Sequence, residues 1–321
     1  MARLACALTL CLALVHSVAC AADVVRLGNL KFAHYGAVSY MKELGPKYDL
    51  DIQERVFPKG IDIIPAMIAG EIDAAASAAD GAIAARTTGV PIFVVAGFAK
   101  GGARIVGRPD MPWSGVPDLK GKKVGVARGG AQELVLLAEL TKHGLTFSDK
   151  GDKDVHIVYM AYADINQALL SKNIDVMCQS EPQSSQAISQ GYGVEIVKPY
   201  DTPLGEPVRT LVVTEKLYAD KDVAQRFLDC FVEATKFFID NPDKAQAYVS
   251  EKMFKGQLSP EDYKQAMENS PFTYDVSLDH IQTSTDMMVK YGIGKLANPP
   301  KADAFVRLDL LARAKAGQGV Q

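Results

Sequence analysis

The stretch Lys31-Phe32-Ala33-His34-Tyr35 puts a cation, an imidazole and two aromatic rings directly behind an apolar strand pattern. Such a loop suits a planar or aromatic anion. The rival reading buries Phe32 or Tyr35 as core and leaves Lys31 in water; the strand-end position favours a pocket. Gly129-Gly130-Ala131-Gln132 stands between a strand pattern and a helical one. Free backbone N–H groups at a helix start form an anion site. No Ser or Thr hydroxyl assists in this turn. Glu133, one residue on, would itself occupy the positive end of the helix dipole. The turn fits contacts to a carboxylate or a polar ring edge, and it equally fits plain strand-to-helix geometry.

Ser77 and Asp80 follow one strand pattern, and Glu181 follows another at the matching place. Glu181 suits acceptance of a heterocycle's N–H or amino group. Asp80 serves equally as the N-cap of a helix over 82–86. Tyr162 lies in the loop ahead of the second of these strand–helix units. Arg209 could clamp a carboxylate with both arms of its fork, or simply bridge two halves of the protein. The rest of the chain offers little catalytic chemistry. There is no Walker loop, no GxGxxG after a strand and no GxSxG elbow. His34, His143, His156 and His280 have no metal-ligand spacing. Binding without turnover, with no cofactor and no metal, is the expectation.

The elements that position these residues come in two sets. Asp62-Ile63-Ile64-Pro65-Ala66-Met67-Ile68-Ala69-Gly70-Glu71-Ile72-Asp73 matches Asp164-Ile165-Asn166-Gln167-Ala168-Leu169-Leu170-Ser171-Lys172-Asn173-Ile174-Asp175, residue for residue, 102 positions later. A period this long points to two similar lobes rather than a solenoid. Each copy reads as a helix and then a strand, with apolar residues at i, i+3 and i+4. Asp62 and Asp164 stand where N-caps would be, and Gly70 and Asn173 where left-handed stops would be. Asp73 and Asp175 read as structural acids that satisfy turn N–H groups. The alternation extends upstream through Val24–Gly28, Ala37–Leu44 and Ile52–Phe57, and through Lys123–Val126, Gln132–His143 and Val155–Tyr159. It predicts an α/β protein of two mostly parallel sheets with helices on both faces and a cleft between lobes. Residues 23–102 begin lobe 1, 103–208 form lobe 2, and 209–321 return to lobe 1 and end in helices. Two crossings join the lobes, along Val94–Gly102 and along the β-rich return Val208–Thr214.

Residues 1–22 read as an export signal: Arg3, an apolar run over Leu4–Val15, and Ala19-Cys20-Ala21. Lipidation through Cys20 ranks second, because Ser17 replaces the leucine expected three residues earlier. Without Arg3 the chain has 34 basic and 38 acidic residues, a net charge of −4. That excess weighs against nucleic acid as a partner. Beyond the signal only Cys178 and Cys230 remain, read as two buried, unpaired thiols.

The segments Gly70-Glu71-Ile72-Asp73, Ser77–Arg86, Pro117-Asp118-Leu119-Lys120-Gly121-Lys122-Lys123-Val124-Gly125-Val126, Ile174-Asp175-Val176 and Glu181-Pro182 carry a resemblance. They are similar to the periplasmic solute-binding proteins of ABC importers, of the nitrate/sulfonate/taurine and thiamine-pyrimidine-precursor type. The resemblance implies a type II periplasmic-binding-protein fold, a periplasmic location and no cofactor. It also implies a small ligand (sulfonate, carboxylate or pyrimidine-like) passed by a monomer to a membrane permease. Rival readings are an enzyme of thiamine-pyrimidine synthesis on the same scaffold, which would not need export, and a receptor for another importer class.

Overall fold

The computed structural model describes residues 21–58 and 60–320. The expected signal, with Arg3, Cys6, Cys11 and Cys20, lies outside them except for Ala21 and Ala22. Among the described residues the strands are β1 (Asp23–Leu30), β2 (Leu50–Phe57), β3 (Ala74–Ala78), β4 (Ile92–Lys100), β5 (Arg104–Gly107), β6 (Lys123–Val126), β7 (Phe147–Ser148), β8 (Val155–Tyr159), β9 (Val176–Gln179), β10 (Val194–Val197) and β11 (Val208–Thr214). They form two sheets, ordered β2-β1-β3-β11-β4 and β10-β5-β9-β6-β8-β7. Reading both orders together pairs β1 with β6, β2 with β8, β3 with β9, β11 with β5 and β4 with β10. In each sheet the first three strands of the set run parallel. The strand beside the third runs antiparallel, because it enters from the other half of the molecule. The sheets are therefore mixed.

The helices are α1 (Gly36–Leu44), α2 (Ile63–Ile68), α3 (Ala79–Thr87), α4 (Ala131–Lys142), α5 (Tyr162–Leu170), α6 (Gln183–Ser189), α7 (Glu215–Ala219), α8 (Lys221–Asp240), α9 (Pro242–Tyr248), α10 (Pro260–Asn269), α11 (Leu278–Tyr291) and α12 (Asp309–Gly317). The long amphipathic α8 packs on α1 and α12, and so covers the first sheet. The tail also adds to that sheet's edge, through bridges from Val306 to Val94 and from Phe272 to Ala99. No described helix is long and apolar enough to cross a membrane.

The duplicated pattern produces duplicated contacts. Asp73 N–H donates to the Arg26 carbonyl at 2.8 Å, and the Asp73 carboxylate accepts the Arg26 N–H at 3.0 Å. Asp175 does the same with Lys123, again at 3.0 Å. Both acids thus lock the third strand of a sheet to the first, a structural role met through strand N–H groups rather than the turn N–H groups expected. A Cβ at Gly28 would meet Ile72 at 2.7 Å, and one at Gly125 would meet Ile174 at 2.5 Å. The same glycine admits the same isoleucine in both halves. The helix boundaries differ from expectation. Asp62 makes no side-chain capping bond, and α5 starts two residues before Asp164 with Ala161 as its cap. Gly70 is left-handed, and its exact mate Lys172, rather than Asn173, takes that conformation in the second copy.

The stretches expected to be crossings, Val94–Gly102 and Val208–Thr214, are mostly β4 and the whole of β11; the crossings themselves are Gly101–Ala103 and the segment between β10 and β11. Gly101 and Gly102 both have positive φ. The two crossings are tied together. The Tyr200 hydroxyl accepts from the Ala103 N–H and donates to the Ala103 carbonyl, each at 2.9 Å. Gly101 N–H donates to the Pro207 carbonyl at 2.9 Å.

Candidate functional site

A cavity of about 320 Å³ lies between the two sheets. Its lining comes from the carboxyl ends of parallel strands, the usual ligand position in such sheets. Phe32 and Tyr35 follow β1, Ser77 lies at the end of β3 and Asp80 just after it, Gly129, Gly130 and Gln132 follow β6, and Tyr162 follows β8. Arg209, on the antiparallel β11, reaches the same space because its register places it opposite Ala78 at the end of β3.

The polar end of the cavity is unfinished. Arg209 is 2% exposed, and neither Nη1 nor Nη2 has a hydrogen-bond partner. Asp80 is 4% exposed, and its Oδ1 has none either. No ion pair joins the two. A buried donor or acceptor left unpaired costs roughly 1–3 kcal/mol, and more when charged. Burial pushes the Asp80 carboxyl up to about 6, against the pull of Arg209. Burial likewise lifts the Tyr35 hydroxyl to about 12 and raises that of Tyr162.

Aromatic rings build the adjoining wall. Phe32 meets Tyr162 edge-on at 5.3 Å, a contact that joins the loops of the two sheets. Tyr35 packs on Phe98 at 4.7 Å. Gly130 lets Tyr162 approach: a Cβ there would lie 2.6 Å from its hydroxyl oxygen.

Four expected site residues lie elsewhere. Lys31 is exposed, its Nζ over the Phe254 ring at 5.1 Å, because the chain turns its side chain away from the strand end. His34 is fully buried against Phe32 and Tyr35, with both ring nitrogens unpartnered; burial and Arg209 hold it well below its usual pKa. Ala131 faces a water-sized space behind Asp80. Glu181 is committed to the protein: it accepts from Arg104 Nε at 2.6 Å and from the Ser185 hydroxyl at 2.8 Å. The helix-start anion site is also partly filled from within. Glu133 accepts from Gly129 N–H at 2.6 Å and from the Tyr159 hydroxyl at 2.5 Å. Asp80 is not a cap, since α3 begins at Ala79 behind Ala78.

Sequence reasoning missed the apolar walls. Ile61 stands just before the first repeat, Ile64 and Pro65 come from its start, and Met288 and Ile293 from α11 and the turn after it. Helical spacing marks such residues only as a packed face, so no signal in the chain separates a cavity wall from core. The two cysteines are free and buried, as read from the sequence.

Comparison with known proteins places this geometry. A protein of Escherichia coli (strain K12), provisionally named an aliphatic sulfonates-binding protein, is 28% identical over 201 residues, 61% of this chain and 60% of that protein. The chain thus spans less than two thirds of that relative. One from Brachyspira hyodysenteriae, provisionally named an ABC transporter periplasmic binding protein, is 22% identical over 84% of this chain and 81% of its own length. The alkanesulfonate-binding protein SsuA of Xanthomonas axonopodis pv. citri, solved with MOPS, superposes with a TM-score of 0.74 at 17% identity. That match covers 89% of this chain and 98% of the other, and it establishes the periplasmic-binding-protein fold. The profile of one family covers residues 24–251, most of the chain. The chain belongs to the NMT1-like family.

Proposed function

We propose that this chain is the extracytoplasmic substrate-binding component of an ABC importer. It captures a small polar organic solute and delivers it to a membrane permease. One lobe comprises residues 23–102 and 209–321, the other 103–208, and Gly101–Ala103 with the Tyr200 tie forms the hinge. After removal of residues 1–22 the protein works in the periplasm as a monomer, and it breaks no bond in its ligand.

The carrying observation is Arg209: a buried guanidinium with both terminal nitrogens unpartnered, lining an inter-sheet cavity. A protein tolerates such a group where something else completes it. An acid group of the ligand does so, and the aromatic and aliphatic walls enclose its body. The cavity of about 320 Å³ is at the small end of ligand sites, which span roughly 300–1,000 Å³. Names given to the relatives, sulfonate-binding and periplasmic-binding, agree with this reading. Native mass spectrometry of the purified protein, followed by small-angle scattering with and without the solute so identified, tests it. A retained small acid and a more compact bound particle are expected. A bound solute that leaves the particle unchanged, or one converted to product, would defeat it.

A further inference from the structure

The cavity holds one buried cation and one buried anion, neither completed by the protein. Arg209 offers two free terminal nitrogens and Asp80 a free carboxylate oxygen, and no ion pair joins them. We propose that the ligand is a zwitterionic amino carboxylate with an apolar body, its acid on Arg209 and its ammonium on Asp80. The inference rests on the capture function proposed above and names the solute class.

Charge balance selects this class. A plain monoanion would neutralise Arg209 and leave Asp80 as a second buried negative charge. A plain amine would leave Arg209 uncompensated. A zwitterion of reversed polarity satisfies both groups and keeps the closed cavity neutral, which matters because each unpaired charge at low dielectric is expensive. The Arg209 fork has two terminal nitrogens for the two oxygens of a carboxylate. A sulfonate's third oxygen would need a further donor, and the turn at Gly129–Gln132 carries no hydroxyl. Phe32, Tyr35 and Tyr162 present ring faces and edges suited to an ammonium and the carbon next to it. Ile61, Ile64 and Met288 suit a branched or single-ring side group.

The two ligand classes respond oppositely to acid. Burial holds the Asp80 carboxyl near 6 in the free protein. The groups facing it are Arg209, Glu133, Tyr35 and Tyr162, with the backbone N–H groups of Asp80 and Gly81 at the carboxylate and His280 lining the small space behind it. A ligand ammonium needs Asp80 ionised, so zwitterion affinity is present above pH 6 and falls as Asp80 gains its proton. A monoanion instead gains affinity when Asp80 is protonated.

Isothermal titration of the mature protein at pH 7.5 and pH 5.0 decides the matter. One set of probes is L-leucine, L-phenylalanine and 5-aminopentanoate. The other is their deaminated counterparts 4-methylpentanoate, 3-phenylpropanoate and pentanoate. We expect at least one zwitterion to bind a hundredfold or more tighter than its counterpart at pH 7.5. Its affinity should drop about tenfold at pH 5.0, one decade per unit below the carboxyl's midpoint. Asp80→Asn, which keeps the side-chain shape, should remove that pH dependence and most of the preference. Counterparts that bind as well as the zwitterions, or better in acid, would overturn this inference and leave the capture function standing. Binding of neither set, with no compaction by any probe, would overturn both.

Discussion

Replacing Arg209 by methionine should move stability and binding in opposite directions. In the free protein the guanidinium is buried with Nη1 and Nη2 unpartnered. Methionine keeps much of its length and apolar stem while removing the desolvated charge. Relief of an unpaired buried polar group is worth about 1–3 kcal/mol. In a domain of this size that corresponds to a rise of roughly 2–8 °C in Tm. The ligand complex should lose two charge-assisted hydrogen bonds, about 4 kcal/mol together. At 1.4 kcal/mol per decade the Kd rises by roughly 10³. Differential scanning calorimetry of the ligand-free protein and calorimetric titration with the native solute measure the two quantities. A variant that melts lower than wild type and binds as tightly would show that Arg209 braces the fold, and the reasoning from its unpartnered nitrogens would fail.

Asp80 carries a stability signature. Its folded carboxyl titrates near 6, above the unfolded value, so its contribution is full below about pH 4 and is lost as pH rises through 6. A shift of about two units makes the ionised group a burden of roughly 3 kcal/mol at pH 7.5. Ligand-free Asp80→Asn should therefore gain stability relative to wild type as pH rises from 4 to 7.5, and denaturant unfolding across that range would show no such divergence if Asp80 were freely solvated. Glu181→Leu takes the buried carboxylate from Arg104, which keeps Glu195 and the Ser185 hydroxyl, and should cost about 1.5–3 kcal/mol in denaturant midpoint analysis; a specific loss of ligand affinity with intact stability would return Glu181 to the site. Gly101→Ala meets the Asn269 carbonyl oxygen at 2.5 Å in a left-handed conformation. It should destabilise by about 1–3 kcal/mol, and an unchanged melt would rule out the strain. Cys178 and Cys230 are buried, and burial pushes both thiols up; they should react with a thiol reagent only after denaturation, and fast native labelling of either would contradict their placement.

The chain by itself determined the duplicated scaffold. The repeated segment fixes it because side-chain spacing and strand pairing are local and periodic. Ile72 and Ile174 fill the spaces over Gly28 and Gly125, and Asp73 and Asp175 lock equivalent strands. Strand-end loops bring Phe32, Tyr35, Ser77, Asp80, Gly129, Gly130, Gln132 and Tyr162 to one cavity, as parallel sheets aim those ends at one place. Only the tertiary structure decided which polar groups are left free. Glu181 and Arg209 look alike in sequence as charged residues near strands. Arg104, 77 positions before Glu181, consumes the first. No acid in the folded chain pairs with Arg209, and its two terminal nitrogens stay unpartnered beside the Tyr35 hydroxyl. The wall formed by Met288 and Ile293 was equally hidden, because a helix face shows its apolar stripe but not the space it faces.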